Sequence, residues 1–434
     1  MSTAAHTALI IENARLVHTA GTQAHTDAHS STVYVLNGHI VGVDQKPADF
    51  PEQAERIDAQ HRLMSFALAD LAVRLSEKGG NRNDVMADVL HAALRGGVAH
   101  VACLPDANPI LDEPRLVTQI KRQAESLDLA EIYPLGALTQ ELKGEQLAEM
   151  ATLVEHGCIA LSQADEPIRN TQVLQRALAY AASFGLPVWL RANDSFLGGG
   201  FAASGAYASR LGLSGVPVAA ESIALFTLFE LLRGMGKNAP KVHICRISSA
   251  RAVELIRAAK AEGLNITCDV NMHHLHLIDS DMGYFNAQMV FTPPLRSAAD
   301  RTALCTAVLD GTIDAIVSDH TAVNADAKHL PVGQTQAGAV GVQWLLNSVL
   351  HFAQENHADA AHALRAVVAE PYAVLGLNAP EWVNGAAANF VIFDDSTHQT
   401  INESYIQGRH LNTPWLGYEL SGTITQVIHH GCAV

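Results

Sequence analysis

The sequence predicts an α/β protein, in which a (β/α)8 barrel carries a small β-sandwich domain built from both chain ends. Apolar β-branched runs alternate with amphipathic helical runs through the middle of the chain. Short β-rich segments stand near both ends. Hydrophobic residues make up 48% and charged residues 17% of the 434 residues, which suffices for a large core. Together these observations favour one large barrel over several small domains.

The two chain ends are predicted to form one β-domain. Near the N-terminus, β-rich sequence is found at Ala8–Val17 and Thr32–Val43. Near the C-terminus, similar β-rich segments are found at Asn389–Asp394, Tyr405–Ile406 and Thr423–Ile428. The predicted divisions are 1–62 for the N-terminal part of this domain, 63–376 for the barrel and 377–434 for the C-terminal part.

One unit illustrates the alternation in the middle of the chain. Val242–Ile247 is typical of a buried strand, and Arg251–Glu262 places apolar residues at helical spacing. Gly263 then ends the helix, and Asn265–Val270 is the next strand. The same pattern predicts eight strands: Met64–Leu75, Val98–Leu104, Glu131–Leu138, Cys158–Ser162, Pro187–Ala192, Val242–Ile247, Asn265–Val270 and Asp314–Ser318. An open doubly wound sheet is the competing fold, but no GxGxxG motif follows a strand.

Composition limits the classes of partner. The chain has 28 Lys plus Arg residues and 44 Asp plus Glu residues. The resulting net charge of −16 disfavours binding to nucleic acid and to anionic membranes. No apolar run reaches the length of a membrane span, and Met1–Thr7 lacks the layout of a signal peptide. Six scattered cysteines without a CxxC motif indicate reduced thiols, so we expect a cytoplasmic protein.

A series of motifs then resembles dihydroorotase of the amidohydrolase superfamily over nearly the whole chain. In chain order they are Gly96-Gly97-Val98 leading into Cys103-Leu104-Pro105-Asp106-Ala107-Asn108-Pro109, Ser209-Arg210-Leu211-Gly212-Leu213, His273-His274-Leu275, Pro293-Pro294-Leu295-Arg296, Asp310-Gly311-Thr312-Ile313-Asp314 leading into Ser318-Asp319-His320, and Asn412-Thr413-Pro414-Trp415. Each motif is weak alone, but their order and spacing are specific. The resemblance implies a TIM-type amidohydrolase barrel with its site at the carboxyl ends of the strands.

The departures from the family pattern fall at the family's functional positions. By resemblance, the metal-ligand positions carry Ala72, Arg74, Gln163, Ala164, Arg191 and Arg246. The substrate positions carry Ser76, Asp106, Thr292 and Val323. Of the central groups, only the position of the family's catalytic base is kept, as Asp319.

Arginine in place of histidine changes the chemistry of these positions. Zinc needs neutral imidazole, thiolate or carboxylate donors, whereas a guanidinium stays protonated and offers no lone pair. Without a metal there is no agent to activate water or polarise an amide. We therefore predict that zinc is absent, that no cofactor is bound, and that the chain is not an enzyme.

Several alternatives remain open from the sequence. His273, His274 and His276 invite a metal site, although two of them belong to the family framework. Asp319 is either a residual catalyst or the partner of Arg191 or Arg246. The three arginines either bind an anionic effector or form an internal salt-bridge plug. Residues 198–200, three glycines without a following Lys-Ser/Thr, favour a flexible loop over a phosphate site.

The resemblance also suggests a partner. Some bacteria carry a non-catalytic dihydroorotase-like chain that assembles with aspartate carbamoyltransferase in pyrimidine biosynthesis. Our first hypothesis is such an assembly subunit, in a heterododecamer. The alternative is an active metal-dependent cyclic-amide hydrolase of the dihydroorotase, hydantoinase or allantoinase type with an atypical site. A third hypothesis is an anion-sensing or scaffold protein.

Overall fold

A computed structural model describes residues 8–21, 24–77 and 85–434. The segment Met1–Thr7, which bears on the signal-peptide prediction, lies outside the described residues. None of the helices in the described ranges is long and apolar enough to cross a lipid bilayer.

Strands and helices follow one another along the described chain. The strands are β1 (Ala8–His18), β2 (His25–Thr26), β3 (Ser31–Leu36), β4 (His39–Val43), β5 (Glu55–Asp58), β6 (Leu63–Phe66), β7 (Leu68–Glu77), β8 (Val98–Cys103), β9 (Glu131–Ala137), β10 (Ala160–Ser162), β11 (Val188–Arg191), β12 (Ala202–Ala203), β13 (Gly215–Val216), β14 (Val242–Cys245), β15 (Ile266–Asn271), β16 (Ala315–Val317), β17 (His320–Ala322), β18 (Phe390–Thr400), β19 (Glu419–His429) and β20 (Cys432–Ala433). The α-helices are α1 (Met86–Arg95), α2 (Pro114–Leu127), α3 (Met150–Glu155), α4 (Thr171–Ser183), α5 (Ala206–Leu211), α6 (Val218–Met235), α7 (Ala250–Ala261), α8 (His273–His276), α9 (Ala298–Leu309), α10 (Ala325–His329), α11 (Leu345–Glu355), α12 (Ala360–Leu364) and α13 (Ala369–Leu375).

The barrel is a parallel sheet in the order β16-β15-β14-β11-β10-β9-β8-β7-β17. Its last strand is broken: β16 pairs with β15, β17 pairs with β7, and Ser318 and Asp319 lie between the two pieces. Every predicted barrel strand has a counterpart, since apolar β-branched runs buried on both faces are typical of parallel strands. The predicted fold class is therefore confirmed.

The first predicted strand, Met64–Leu75, is in fact two strands with different partners. Residues of β6 pair with β18 in the terminal sheet, whereas β7 begins the barrel at Leu68. Since Leu63–Phe66 is fully buried like the barrel strand that follows, hydrophobicity alone could not separate the two.

The chain ends meet in a second sheet of order β20-β19-β18-β6-β1-β3-β4. The predicted strand Thr32–Val43 is a hairpin whose turn is Asn37-Gly38, both with positive φ. The predicted strand Tyr405–Ile406 is wrong. This segment is a turn, in which the Tyr405 amide donates to the Asn402 carbonyl oxygen over 3.0 Å.

An aromatic cluster lies in the terminal sheet where the chain passes into the barrel. Trp382 packs on Phe66 of β6 and Phe390 of β18 with ring centroids 4.3 and 5.1 Å apart, and its indole donates to the Val17 carbonyl oxygen of β1 over 3.0 Å. Because β6 ends at Phe66 and β7 begins at Leu68, the terminal sheet lies at the start of this barrel strand, and the carboxyl end of the strand can hold a site.

Candidate active site

Three residues at the carboxyl ends of barrel strands have left-handed backbone conformations. Ala164 follows β10, Arg246 follows β14 and Asp319 follows β16, with φ of 50°, 52° and 48°. Such a conformation is unfavourable for a residue with a Cβ and is concentrated at functional sites. The barrel mouth is therefore the candidate site, as it is for barrels of this kind in general.

Asp319 lies at the centre of the mouth and is buried. One carboxylate oxygen accepts from the Arg246 guanidinium over 2.9 Å, and the other accepts from the Asn271 amide over 3.0 Å. Burial raises the pKa of Asp319, while Arg246 and Arg74 oppose that rise. Of the two partners expected for Asp319, Arg246 is present and Arg191 is not.

Arg74, near the end of β7, contacts all three carboxylates of the mouth. Its guanidinium is 2.9 Å from Asp106, 2.7 Å from Asp165 and 3.5 Å from Asp319. Burial alone would lower the pKa of Arg74, but these carboxylates raise it above its usual value. Arg74 therefore stays charged and crosslinks the ends of three barrel strands.

Asp165 joins the other two arginines. Its carboxylate lies 2.8 Å from the Arg246 guanidinium and 3.1 Å from that of Arg191. Arg191 also donates to the Asp165 carbonyl oxygen over 2.8 Å. Among the residues that the structure describes, this network thus contains three arginines and three aspartates, counting Asp106 and Asp319, and the formal charges of these six side chains cancel.

A second polar layer lies directly beneath this network. His243 is 2.8 Å from Asp269, which also accepts from the Arg246 backbone amide over 2.7 Å. Asp70 accepts from the amides of Ala72 and Ser318 through one carboxylate oxygen, while its buried Oδ2 has no hydrogen-bond partner. Burial raises the pKa of Asp70 to about 7, and Asp269 adds to that rise.

The remaining predicted positions are distributed around the mouth. Ala72 is buried, and Gln163 turns away from the network because its amide group bonds Thr139 and the Leu142 carbonyl oxygen. Ser76 and Val323 are buried, and Thr292 lines a neighbouring cleft. Their assignment to former ligand and substrate positions stays a prediction.

The three histidines of the chain's HHLH run have different surroundings. His273 Nδ1 accepts from the Trp415 indole over 2.8 Å, and His274 Nε2 lies 3.2 Å from the Pro294 carbonyl oxygen. Burial lowers the pKa of both imidazoles, that of His274 to about 4. His276 points elsewhere and is 2.9 Å from Glu355 on α11.

A narrow cleft opens beside the mouth. Its cavity volume is about 20 Å³, room for about one water molecule, and Arg191, Asn193 and Thr292 contribute to its walls. Glu221 is buried in the same wall and accepts from the Ser248 amide over 2.7 Å, while Arg296 donates to the Ser248 hydroxyl over 2.8 Å. The three-glycine run 198–200 forms irregular backbone along this cleft.

With this geometry in place, comparison with known proteins assigns the family. A family model described as "Dihydro-orotase-like" matches residues 61–252. A dihydroorotase of Anaeromyxobacter dehalogenans is 34% identical over 403 residues, which is 92% of each chain. A dihydroorotase-like protein of Pseudomonas aeruginosa is 35% identical over 401 residues, covering 92% of this chain and 93% of the relative. The chain belongs to the dihydroorotase family.

Solved structures extend the comparison of folds. The L-hydantoinase (dihydropyrimidinase) of Arthrobacter aurescens superposes with a TM-score of 0.82 at 19% identity, covering 98% of this chain and 95% of that one. The hydantoinase fold, a TIM-like barrel with a strand-rich terminal domain, is therefore shared.

These comparisons correct two predictions. The prediction that the chain is not an enzyme is contradicted, since relatives that match it over nearly its whole length are named dihydroorotase. The prediction that zinc is absent is also contradicted. Dihydroorotases are a zinc family, and within the described residues three groups could hold a metal ion: His18, His25 and Asp27; His243, Cys245 and Asp269; and His276, His351 and Glu355. The loss of metal ligands at the barrel mouth therefore does not show that the whole chain lacks a metal ion.

The mouth itself does not fit a zinc ion in this arrangement. Guanidinium groups of Arg74, Arg191 and Arg246 occupy the space between the carboxylates, and they are charged and have no lone pair to donate. Each carboxylate of the network is already engaged by an arginine. Any chemistry at the mouth is therefore chemistry of its side chains.

The sequence did not single out Asp165, although it contacts all three arginines. By resemblance the ligand pair aligned with residues 163 and 164, one position earlier. The left-handed Ala164 is the signal that the chain turns sharply here, and this conformation is not readable from an alanine in the sequence.

Proposed function

We propose that this protein is a cyclic-amide hydrolase of the dihydroorotase and hydantoinase type with an atypical site. Family membership over more than nine-tenths of the chain supports the class of reaction. The observation that carries the proposal is the position of Asp319, buried at the break of the last barrel strand between a cation and an amide donor. There its carboxylate can act on a ring that enters the mouth once the arginine–aspartate pairs around it open.

The side chains supply a base and fixed cations. Asp319 takes a proton from the water that attacks the ring carbonyl carbon, and that proton passes to the ring nitrogen as the C–N bond breaks. The raised pKa of Asp319 suits a base that must hold the proton briefly. Arg246 and Arg74, both beside Asp319, stabilise the negative charge that develops on the carbonyl oxygen.

The cleft beside Arg191 offers the route for substrate. Its polar wall combines Arg191, Asn193 and Thr292 with the Arg296–Ser248 pair, and it reaches the mouth network through Arg191. A ring with an exposed carboxylate, as in dihydroorotate, suits this wall because guanidinium groups bind carboxylates through paired hydrogen bonds. Entry of the ring requires the Arg191–Asp165 pair to open.

Hydrolysis of dihydroorotate, hydantoin and allantoin by the purified protein, with and without added zinc, tests this proposal. We expect ring opening above the buffer rate for at least one of them. Asp319→Asn is expected to lower that rate by about 10²–10⁴-fold, the range for a general base. Asp395→Asn, at an exposed position of β18, is the matched control and should leave the rate unchanged. Turnover of none of the three rings, or equal rates for both variants, would contradict the proposal.

We also propose that the chain assembles with aspartate carbamoyltransferase. The resemblance suggests this partner, and two separate exposed aromatic side chains in loops at the mouth end of the barrel support a contact surface there. Phe196 and Tyr284, in loops that follow β11 and α8, are 82% and 90% exposed. Large exposed aromatic side chains are frequent at sites of protein association.

Reconstitution tests the assembly. We expect the transcarbamoylase mixed with this chain to form a larger particle with a changed rate of carbamoyl aspartate formation. The double variant Phe196→Ser, Tyr284→Ser should weaken binding about tenfold or more, since buried aromatic side chains dominate interfaces. Phe184→Ser, 56% exposed at the opposite end of the barrel after α4, is the control. No change in particle mass on mixing would refute the partner.

A further inference from the structure

We infer that His276, His351 and Glu355 form a binding site for one divalent transition-metal ion, with zinc as the best-matched ion, away from the barrel mouth. His276 ends the short helix α8, and the other two residues are one turn apart on α11. The three side chains come from segments about 75 residues apart and meet at the surface of the barrel.

The spacing of the three groups matches a zinc coordination sphere. The Glu355 carboxylate lies 2.9 Å from His276 Nδ1 and 3.6 Å from His351 Nε2, and all three ligand atoms lie within 4.8 Å of one another. Zinc bound at about 2.0–2.1 Å in a tetrahedron separates its ligands by about 3.3 Å. The two distances lie on either side of this value but run to different oxygens of the Glu355 carboxylate, so rotation of that carboxylate is needed to bring the three donors onto one ion.

The tautomer of His351 points a lone pair into this site. The Ser421 hydroxyl donates to Gln354 Oε1, so its oxygen accepts from His351 Nδ1 at 3.1 Å. The proton of a neutral His351 is therefore on Nδ1, and Nε2 faces the Glu355 carboxylate with its lone pair. A lone pair directed at an anion is unfavourable unless the imidazole gains a proton or a cation lies between the two groups.

His276 is oriented in the same sense. Its Nε2 is 3.2 Å from the Ser348 carbonyl oxygen and 3.1 Å from the Ser348 hydroxyl oxygen, one turn earlier on α11 than His351. Without an ion, Nδ1 lies 2.9 Å from Glu355 and donates to it. When a metal ion replaces that proton, Nε2–H donates to the Ser348 carbonyl oxygen and Nδ1 offers its lone pair to the ion. A hydrogen bond from the non-ligating ring nitrogen is the usual support of a metal-bound histidine. Both imidazoles of this site have such a partner.

The surroundings leave one coordination position open. The His276 side chain is 4% exposed, whereas those of His351 and Glu355 are 28% and 48% exposed. An ion bound here would therefore have three protein ligands and a solvent molecule, an arrangement that zinc accepts readily. Arg301, which donates to the His276 carbonyl oxygen over 2.9 Å, is the nearby positive charge that opposes binding.

Titration of the full chain with zinc, against a chromophoric chelator, tests the inference. We expect one equivalent to bind, cobalt to give the intense visible spectrum of a tetrahedral site, and the thermal midpoint to rise with either ion. His351→Ala and the isosteric Glu355→Gln should each weaken binding about 100-fold or more. Ser421→Ala, which removes the acceptor for His351 Nδ1 together with the hydrogen bond to Gln354, should weaken it about tenfold.

His357→Asn, two residues beyond Glu355, is the matched control and should bind zinc as the parent does. Circular dichroism of each variant separates loss of the site from loss of the fold. Unchanged affinity in both His351→Ala and Glu355→Gln would overturn the inference. Binding weaker than millimolar in the parent chain, which would mark an adventitious ion only, would overturn it as well.

Discussion

Replacing Arg246 by leucine is expected to lower the free energy of unfolding by about 3–5 kcal/mol, the range for removing one partner of a buried ion pair. The Arg246 side chain is 1% exposed and neutralises both Asp165 and Asp319. Leucine fills part of the volume but leaves two carboxylates in a buried site with less compensation. Asp165 keeps Arg191 and Arg74 as partners, whereas Asp319 keeps Arg74 at 3.5 Å, and Arg74 also pairs with Asp106.

Urea unfolding of the parent and of Arg246→Leu measures this effect. Arg233→Leu is the matched control, since Arg233 pairs with Glu230 and Glu262 at the surface, where such pairs contribute about 0–1 kcal/mol. In the double variant Arg246→Leu, Asp319→Asn, part of the loss should be recovered because one uncompensated charge is gone. A loss of less than about 1 kcal/mol in Arg246→Leu would contradict the account of the network.

Asp70→Asn is expected to stabilise the protein at neutral and alkaline pH. The folded protein raises the pKa of Asp70 from 3.8 to about 7, chiefly through burial, so it holds this proton more tightly than the unfolded chain does. The parent therefore loses stability as pH rises from about 4 to about 7 and then levels off. Three pKa units correspond to about 4 kcal/mol as an upper bound.

Asparagine keeps the acceptor that serves the amides of Ala72 and Ser318 and cannot ionise. The difference in unfolding free energy between Asp70→Asn and the parent should therefore grow between pH 4 and pH 7 and stay constant above pH 8. Asp395→Asn serves again as the exposed control and should show no such growth. A difference that does not depend on pH would mean that Asp70 is ionised in the folded protein across this range.

Much of the fold was predictable because parallel strands and amphipathic helices leave strong local patterns. The strand predicted over Val242–Ile247 and the helix over Arg251–Glu262 appear as β14 and α7, displaced by one or two residues at their ends. The terminal sheet was harder to predict because its strands pair across the whole chain. Tyr405–Ile406 has β propensity but lies in a turn held by Asn402.

The sequence predicted site residues only where the residue type at a single position determines the chemistry there. The arginines at 74, 191 and 246 were found from the sequence, whereas their shared partner Asp165 was not, because the left-handed Ala164 decides which side chain faces the mouth. The group His276, His351 and Glu355 depends on the packing of α8 against α11 and has no local signal. The prediction that the chain is not an enzyme was wrong for a similar reason, because it judged the whole chain from the ligand positions at the barrel mouth.

In the zinc-loaded protein we expect ion pairs of arginine and aspartate to occupy the barrel mouth and the bound metal ion to lie elsewhere. Anomalous diffraction at the zinc edge, from crystals of the zinc-loaded protein, tests it directly. The predicted result is a peak between His276, His351 and Glu355, with the guanidinium groups of Arg74 and Arg246 at the mouth. A zinc peak bonded to Asp165 or Asp319, with those arginines displaced, would contradict it.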